Sequence, residues 1–133
     1  MAKTKRSTRW VKKTVALKKQ EYAGVHLLAE FWRGKIIEDT KKIEEILLGA
    51  AKAANNTALE TSVHKFSPQG LTGFVLLAES HIAIHTWPEY DYVAVDIFTC
   101  GEKSMPEKAF EYLKKEFNPK SFEMQEIKRG RIK

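Results

Sequence analysis

The chain has 133 residues, 43% of them hydrophobic, with 23 Lys and Arg against 17 Asp and Glu and a formal net charge of +6. This length predicts a single domain, which can bury enough surface to fold without a metal or a disulfide. The single cysteine excludes an internal disulfide framework and a Cys-rich zinc module. No apolar stretch reaches the roughly 20 residues of a membrane span, and Lys and Arg interrupt the start of the chain where a signal peptide has its apolar core. We therefore expect a cytoplasmic protein.

The basic charge lies at the two ends of the chain. Residues 1–20 hold eight Lys and Arg and no acid, whereas residues 21–127 carry 11 basic and 17 acidic side chains. We expect residues 1–20 to be a flexible arm, because they lack apolar periodicity, and residues 21–133 to form a single folded domain. The arm would suit a small nucleic-acid-binding protein, with Trp10 stacking on a base. An acidic domain, however, suits a cationic substrate better than a phosphate backbone, so we do not expect nucleic acid as the partner.

The hydrophobic pattern predicts two helices among several strands. In chain order we expect a strand at 22–32, a helix at about 39–54, strands at about 59–66, 73–78, 82–87 and 93–99, a helix at about 106–117 with Ser104 as its cap, and a last strand at 121–127. The run at 73–78 is apolar throughout, which is typical of a strand buried on both faces. Residues 70–100 leave no room for a parallel crossover. The predicted fold class is therefore α+β, a two-layer sandwich with a mainly antiparallel β-sheet and two helices on one face.

The segment 78–101 holds many polar side chains for a pair of strands. They are Glu79, Ser80, His81, His85, Glu89, Asp96 and Cys100. On a strand, His81 and His85 share a face but lie about 13 Å apart, too far to bind one metal ion, so we expect no metal site. Ser80, His85 and Asp96 have the residue types of a serine triad, but the chain has no G-x-S-x-G elbow. On the pattern alone, a purely structural role for these side chains also stays open.

Several motifs together resemble one family. The run ESHIAIHTWPE at 79–89, followed by FTCGE at 98–102, resembles the self-processing segment of prokaryotic S-adenosylmethionine decarboxylases. HLLAEF at 26–31, FSPQGLTG at 66–73 and EIKRGR at 126–131 resemble the same family in the same order. The resemblance implies an enzyme that is made as an inactive proenzyme and converts S-adenosylmethionine to the aminopropyl donor of spermidine biosynthesis.

The resemblance also implies how the cofactor forms. Ser80 Oγ attacks the carbonyl of Glu79 and turns the peptide bond into an ester, and loss of the Ser80 α-proton then eliminates the ester. The resulting dehydroalanine hydrolyses to a pyruvoyl group and ammonia, leaving a β chain of residues 1–79 and an α chain of residues 80–133. The pyruvoyl group, covalently bound and derived from Ser80, forms a Schiff base with the substrate amine and accepts the electrons that the carboxylate leaves behind.

Further residues take roles from their positions in the family motifs. The resemblance implies His85 as proton acceptor in processing, Thr72 as an assisting hydroxyl, Cys100 as proton donor in catalysis, Phe66 stacked on adenine, Glu89 bound to the ribose hydroxyls, and Glu30 in processing or substrate binding. The remaining histidines at 26, 64 and 81 are expected to pack or to bond locally. The family assembles as a dimer of αβ units, with each site near the interface, and the resemblance implies the same assembly for this chain.

Within the resemblance we consider one alternative enzyme and one alternative without activity, a homologue that only regulates an active partner. The segment 32–35, WRGK, departs from the glycine-rich, often Cys-bearing pattern of the family. A sister decarboxylase acting on arginine or ornithine is therefore the alternative substrate assignment. A processing-dead homologue is disfavoured, because Ser80, His85 and Cys100 are all present.

Overall fold

The structure, a computed structural model, describes residues 21–132, so the predicted basic arm lies outside the described residues. The strands are β1 (Tyr22–Trp32), β2 (Ala58–Lys65), β3 (Leu71–Leu77), β4 (Ser80–Trp87), β5 (Tyr92–Thr99) and β6 (Ser121–Arg131), and the helices are α1 (Thr40–Ala53) and α2 (Pro106–Phe117). A single 3₁₀ turn, Pro88–Tyr90, joins β4 to β5. In the described part of the chain, no helix is long and apolar enough to cross a membrane.

All six strands form one antiparallel sheet in the order β2-β3-β4-β5-β1-β6. The four strands β2 to β5 follow one another in the chain and in the sheet through three short connections, whereas β1 pairs with β5 and β6 from further along the chain. The last strand is longer than predicted, because its ladder with β1 continues as far as the pair Tyr22 and Arg131. The predicted α+β two-layer fold is confirmed.

Both helices cover the same face of the sheet. Alternate residues of the strands point to this face, as Leu27, Ala29 and Phe31 do on β1, and each is at most 3% exposed. They pack against the apolar stripes of the helices, which include Leu47 of α1 and Leu113 of α2, both fully buried. The core is therefore a single layer between the sheet and the helix pair.

The ends of the helices follow the predicted signals with one exception. Asp39 caps α1, since its carboxylate accepts a hydrogen bond from a backbone N–H of the first turn at 3.0 Å. Asn118 ends α2 in a left-handed conformation with φ of 47°. The prediction that Ser104 caps α2 is wrong, because Met105 occupies the cap position and no side chain bonds there. The Ser104 hydroxyl instead accepts a hydrogen bond from Asn56 Nδ2 at 3.1 Å.

The face of the sheet opposite the helices is uncovered in the single chain, and we call it the open face. Its apolar members, which are half-buried or exposed, include Leu28, Phe74, Leu76, Ala83, Trp87, Ala94 and Phe98. The prediction that β3 is buried on both faces does not hold within the single chain, because Phe74 and Leu76 remain 40% and 42% exposed on the open face. An apolar surface of this kind on one side of a sheet favours contact with another surface.

Candidate active site

The Glu79–Ser80 peptide bond lies in the tight connection between β3 and β4, where Ser80 pairs with Leu77. Ser80 has φ of 142°, a positive value that residues with a side chain rarely adopt. Backbone strain of this kind costs about 1–3 kcal/mol and concentrates at functional sites. The Glu79 carboxylate is fixed by Thr57, whose backbone N–H and hydroxyl donate to it at 3.0 and 3.3 Å. The structure thus places a strained, anchored linkage at the bond that the sequence predicts to break.

Cys100 approaches this bond from the neighbouring strand. Ser80 pairs with Thr99, the last residue of β5, so the next residue of the chain lies beside the Glu79–Ser80 bond. The Cys100 thiol donates a hydrogen bond to the Glu79 carbonyl oxygen, with Sγ and O 3.3 Å apart. Desolvation, and after it the Glu79 carboxylate, raises the pKa of this thiol above its ordinary value. The thiol is therefore protonated at neutral pH and available as a donor.

The backbone around Cys100 is closely approached by β1. A Cβ atom on Gly24 would lie 2.9 Å from the Thr99 carbonyl oxygen and 3.5 Å from Cys100 Cβ, so glycine is required for this approach. On the other side, Glu79 and Cys100 together line an open cavity of about 430 Å³. This volume is in the range of small-molecule sites. We call Glu79, Ser80 and Cys100 the Ser80 cluster.

A second group of predicted residues lies at the other end of β4. Thr72 and His85 are direct cross-strand partners, and Thr72 Oγ1 is 3.3 Å from His85 Nδ1. Gln69, in the turn before β3, donates from Nε2 to Glu89 Oε1 at 3.3 Å. The same turn carries Phe66, whose side chain is 48% exposed. We call Phe66, Thr72, His85 and Glu89 the His85 cluster.

The two clusters do not meet within one chain. Ser80 and His85 begin and nearly end the same strand, and five residues of extended chain span about 16 Å. A proton acceptor must lie within about 3 Å of its proton or act through a single water. The structure therefore brings Ser80 together with Cys100, and His85 together with Thr72, but leaves the proton acceptor far from the serine that it is predicted to serve.

Glu30 belongs to neither cluster. It lies on β1 in the same cross-strand row as His85, but Ala94 of β5 separates the two by two strand spacings, about 10 Å. Its carboxylate accepts a hydrogen bond from the Tyr92 hydroxyl. Desolvation and this hydrogen bond raise the pKa of Tyr92 to about 12. The role of Glu30 in processing or substrate binding stays a prediction.

The structure also shows three side-chain contacts of the histidines at 26 and 81, of which only that of His81 is local, as expected. His81 Nδ1 lies 3.4 Å from Ser80 Oγ. His26 Nε2 lies 2.7 Å from Asp96 Oδ1, and Arg129 donates to His26 Nδ1 at 3.0 Å. The first contact joins adjacent residues of the E-S-H run, so its signal was present in the sequence. The others join residues 70 and 103 positions apart, and only the strand order brings them together.

Comparison with known proteins identifies the family. The family model described as S-adenosylmethionine decarboxylase matches residues 25–130, which include both clusters. The chain belongs to the S-adenosylmethionine decarboxylase family. The predicted resemblance is thereby confirmed.

Individual relatives match this chain over most of their own length. The S-adenosylmethionine decarboxylase proenzyme of Methanococcus maripaludis is 45% identical over 111 residues, which cover 82% of this chain and 91% of the relative. That of Moorella thermoacetica is 49% identical over 111 residues, covering 82% and 89%. The crystal structure of the adenosylmethionine decarboxylase from Aquifex aeolicus superposes with a TM-score of 0.78 at 40% identity, covering 86% of this chain and 96% of that one. Sequence and fold therefore agree on the S-adenosylmethionine decarboxylase family.

Proposed function

We propose that this protein is a pyruvoyl-dependent S-adenosylmethionine decarboxylase that matures by cutting its own Glu79–Ser80 bond. Family membership supports the activity, because the matched relatives are named S-adenosylmethionine decarboxylase proenzymes. The observation that carries the proposal is the hydrogen bond from the Cys100 thiol to the Glu79 carbonyl oxygen at 3.3 Å. It places the single thiol of the chain on the carbonyl of the bond that breaks.

Cleavage begins with attack of Ser80 Oγ on the Glu79 carbonyl carbon. The carbonyl oxygen gains negative charge as the C–O bond forms, and the Cys100 thiol that already donates to it stabilises this charge. The positive φ of Ser80 adds strain to the uncut linkage, which rupture of the C–N bond relieves. Both features favour the ester over the peptide bond at this one position.

The residues around Ser80 fit a pyruvoyl group at the new amino terminus of β4. A pyruvoyl carbonyl bonds to a primary amine and accepts the electron pair that a departing carboxylate leaves. Cys100 lies next to this position and, because the pKa of its thiol is raised, it holds a proton at neutral pH. We propose that it delivers this proton to the substrate carbon, as the sequence predicts, and so completes the decarboxylation.

The separation of the two clusters supports a dimer in which each site is built from two chains. The open face presents Thr72 and His85, together with an apolar surface that the helices leave uncovered, and the Ser80 cluster lies at the other end of β4. If two such faces pack together about a twofold axis that lies in the interface and runs perpendicular to the strands, each strand runs antiparallel to the same strand of the second chain. The Ser80 end of β4 in one chain then faces the His85 end in the other. We propose that His85 takes the Ser80 α-proton of the partner chain, with Thr72 beside it, in a dimer of αβ units.

The same assembly would bring the substrate-binding residues to the site. Phe66 and Glu89 lie in the His85 cluster, with the exposed ring of Phe66 free to stack on an adenine and the Glu89 carboxylate able to accept from ribose hydroxyls. Glu79, Glu102 and Lys103 border the cavity beside Cys100, and the net negative charge of this lining suits a sulfonium cation. We propose S-adenosylmethionine as the substrate and spermidine biosynthesis as the use of the product.

Intact mass before and after borohydride treatment tests the cofactor. The expected result is two chains, residues 1–79 and residues 80–133, the second blocked by a carbonyl that borohydride reduces. Ser80→Ala should remain a single inactive chain. A purified protein that stays at 15.3 kDa and still decarboxylates its substrate would refute the proposal.

Carboxyl-labelled substrates test the specificity separately. We expect release of labelled carbon dioxide from S-adenosylmethionine and none above background from arginine or ornithine. Release from one of the amino acids alone, by a chain that has been cut at Ser80, would keep the pyruvoyl chemistry and overturn the substrate assignment.

A further inference from the structure

The imidazole of His81 is next to the hydroxyl that must be activated. His81 Nδ1 lies 3.4 Å from Ser80 Oγ. Within residues 21–132, no other titratable side chain is hydrogen-bonded to that hydroxyl. Catalytic hydrogen bonds are often this long before the reacting groups close on each other. His85, the proton acceptor implied by the family resemblance, is at the far end of β4. A base for Ser80 Oγ is thus present in the same chain, before any assembly.

The surroundings of His81 keep its ring fixed and neutral. The ring packs edge-on against Phe98 and His26, with centroids 6.0 and 6.3 Å away. Burial lowers the pKa of His81, His26 lowers it further, and the Asp96 carboxylate opposes both. A neutral imidazole has one nitrogen with a free lone pair, which is what a base at Ser80 Oγ requires. The nearby Asp96 carboxylate would stabilise the imidazolium that forms when the base accepts a proton.

We propose that His81 is the general base of the first step of self-cleavage, in which Nδ1 takes the proton from Ser80 Oγ as this oxygen bonds to the Glu79 carbonyl carbon. The imidazolium then gives the proton to the Ser80 nitrogen as the C–N bond breaks. The products are an ester and a free amino group, so the step is an isomerisation that needs no other reactant. This inference rests on the proposed self-cleavage and divides its proton transfers between two histidines, His81 for the hydroxyl and His85 for the α-proton.

The two histidine variants should stop at different stages, which hydroxylamine distinguishes because it cleaves esters and not peptide bonds. Purified His85→Ala should accumulate the ester, so hydroxylamine should split it into fragments 1–79 and 80–133. His81→Gln should slow formation of the ester by about 100-fold or more, the usual contribution of a general base. Hydroxylamine should therefore leave it largely intact. His64→Gln, which removes an exposed histidine of β2, should be cut at the parental rate.

Chemical rescue and pH dependence separate this role from a structural one. In His81→Ala, added imidazole should restore cleavage, which a misfolded chain would not show. In the parent chain, the rate of ester formation should fall as pH drops through the pKa of His81, because the imidazolium has no lone pair. The groups that face His81 and shape this profile are Asp96 on β5 and His26 on β1, with Arg129 of β6 bonded to His26. In His81→Gln, the rate of ester formation should not show this dependence on pH.

The outcomes distinguish this inference from the proposed function. If the parent chain is cut and His81→Gln is cut at the same rate, or if imidazole fails to rescue a folded His81→Ala, the role of His81 is refuted and self-cleavage stands. If the parent chain itself is never cut, the proposed self-cleavage is refuted, and the role of His81 is refuted with it.

Discussion

Mixing two inactive variants should restore cleavage if the active site is shared between chains. Ser80→Ala lacks the nucleophile and His85→Ala lacks the proton acceptor, so neither should mature alone. In a mixed dimer, the intact Ser80 of the second variant faces the intact His85 of the first. One complete site is then formed, and the His85→Ala chain should be cut while the Ser80→Ala chain stays whole.

The expected size of the effect follows from the geometry of β4. About 16 Å of extended strand separates Ser80 from His85 within a chain, against the roughly 3 Å that proton transfer requires. A chain cannot close this gap without breaking the strand, so the contribution of His85 within its own chain should be negligible. With equal expression and random pairing, about half of the His85→Ala chains acquire a Ser80→Ala partner in a twofold dimer, and about half should be cut.

The assay is co-expression with two different affinity tags, isolation of the doubly tagged dimer, and intact mass of both chains. The matched control replaces the first variant with a double variant, Ser80→Ala and His85→Ala, which supplies no histidine and should leave its partner uncut. Doubly tagged dimers that remain uncut, or a monomeric parent chain that matures at the normal rate, would refute the shared site.

Three further results are expected from single variants. Cys100→Ala should still be cut, but more slowly, because the Glu79 carbonyl oxygen loses its hydrogen-bond donor. The turnover of the cut variant should fall about 100-fold or more. The activity of the parent enzyme should decline as pH rises through the raised pKa of the Cys100 thiol, since only the protonated thiol donates. Ser80→Gly should be more stable than Ser80→Ala by about 1–3 kcal/mol in urea unfolding, because glycine adopts a positive φ without strain and neither variant is cut; equal stability would show that the strain is absent. Leu113→Ala should lower the free energy of unfolding by about 2–5 kcal/mol, because the side chain is fully buried between α2 and the sheet, whereas the exposed Leu59→Ala should change it far less.

The elements could be predicted from the sequence because their signals are local. Periodicity and breakers gave every helix and strand of the described domain within a few residues, and β1 matched at both ends. The order of the strands could not be read in the same way, since β1 pairs with β5 and β6, and every paired residue lies sixty or more positions further along the chain. The burial of β3 was misjudged for a related reason, because only the placement of both helices on one face exposes Phe74 and Leu76.

For the candidate site as well, the residues could be predicted from local motifs but their arrangement in space could not. Motif positions predicted Ser80, His85, Thr72 and Cys100. The predicted strand already implied that His85 lies far along the chain from Ser80, but the motif, which carries no distances, assigned both residues to one site. The reverse holds for His81. It was expected to pack or to bond locally, and it does bond to its neighbour, but the motif does not report that the bonded atom is Ser80 Oγ, the proposed nucleophile.

A single protonation state of Cys100 suits both of the steps proposed for it. As a donor to the Glu79 carbonyl it must carry a proton during self-cleavage, and as the acid of decarboxylation it must carry one again at each turnover. The Glu79 carboxylate helps to raise the pKa of the thiol, and this residue becomes the carboxyl end of the β chain after cleavage. The new terminal carboxylate then adds a second negative charge near the thiol, provided that the end stays in place. Since negative charge disfavours the thiolate, maturation should hold Cys100 protonated more firmly and so prepare it for the step that follows.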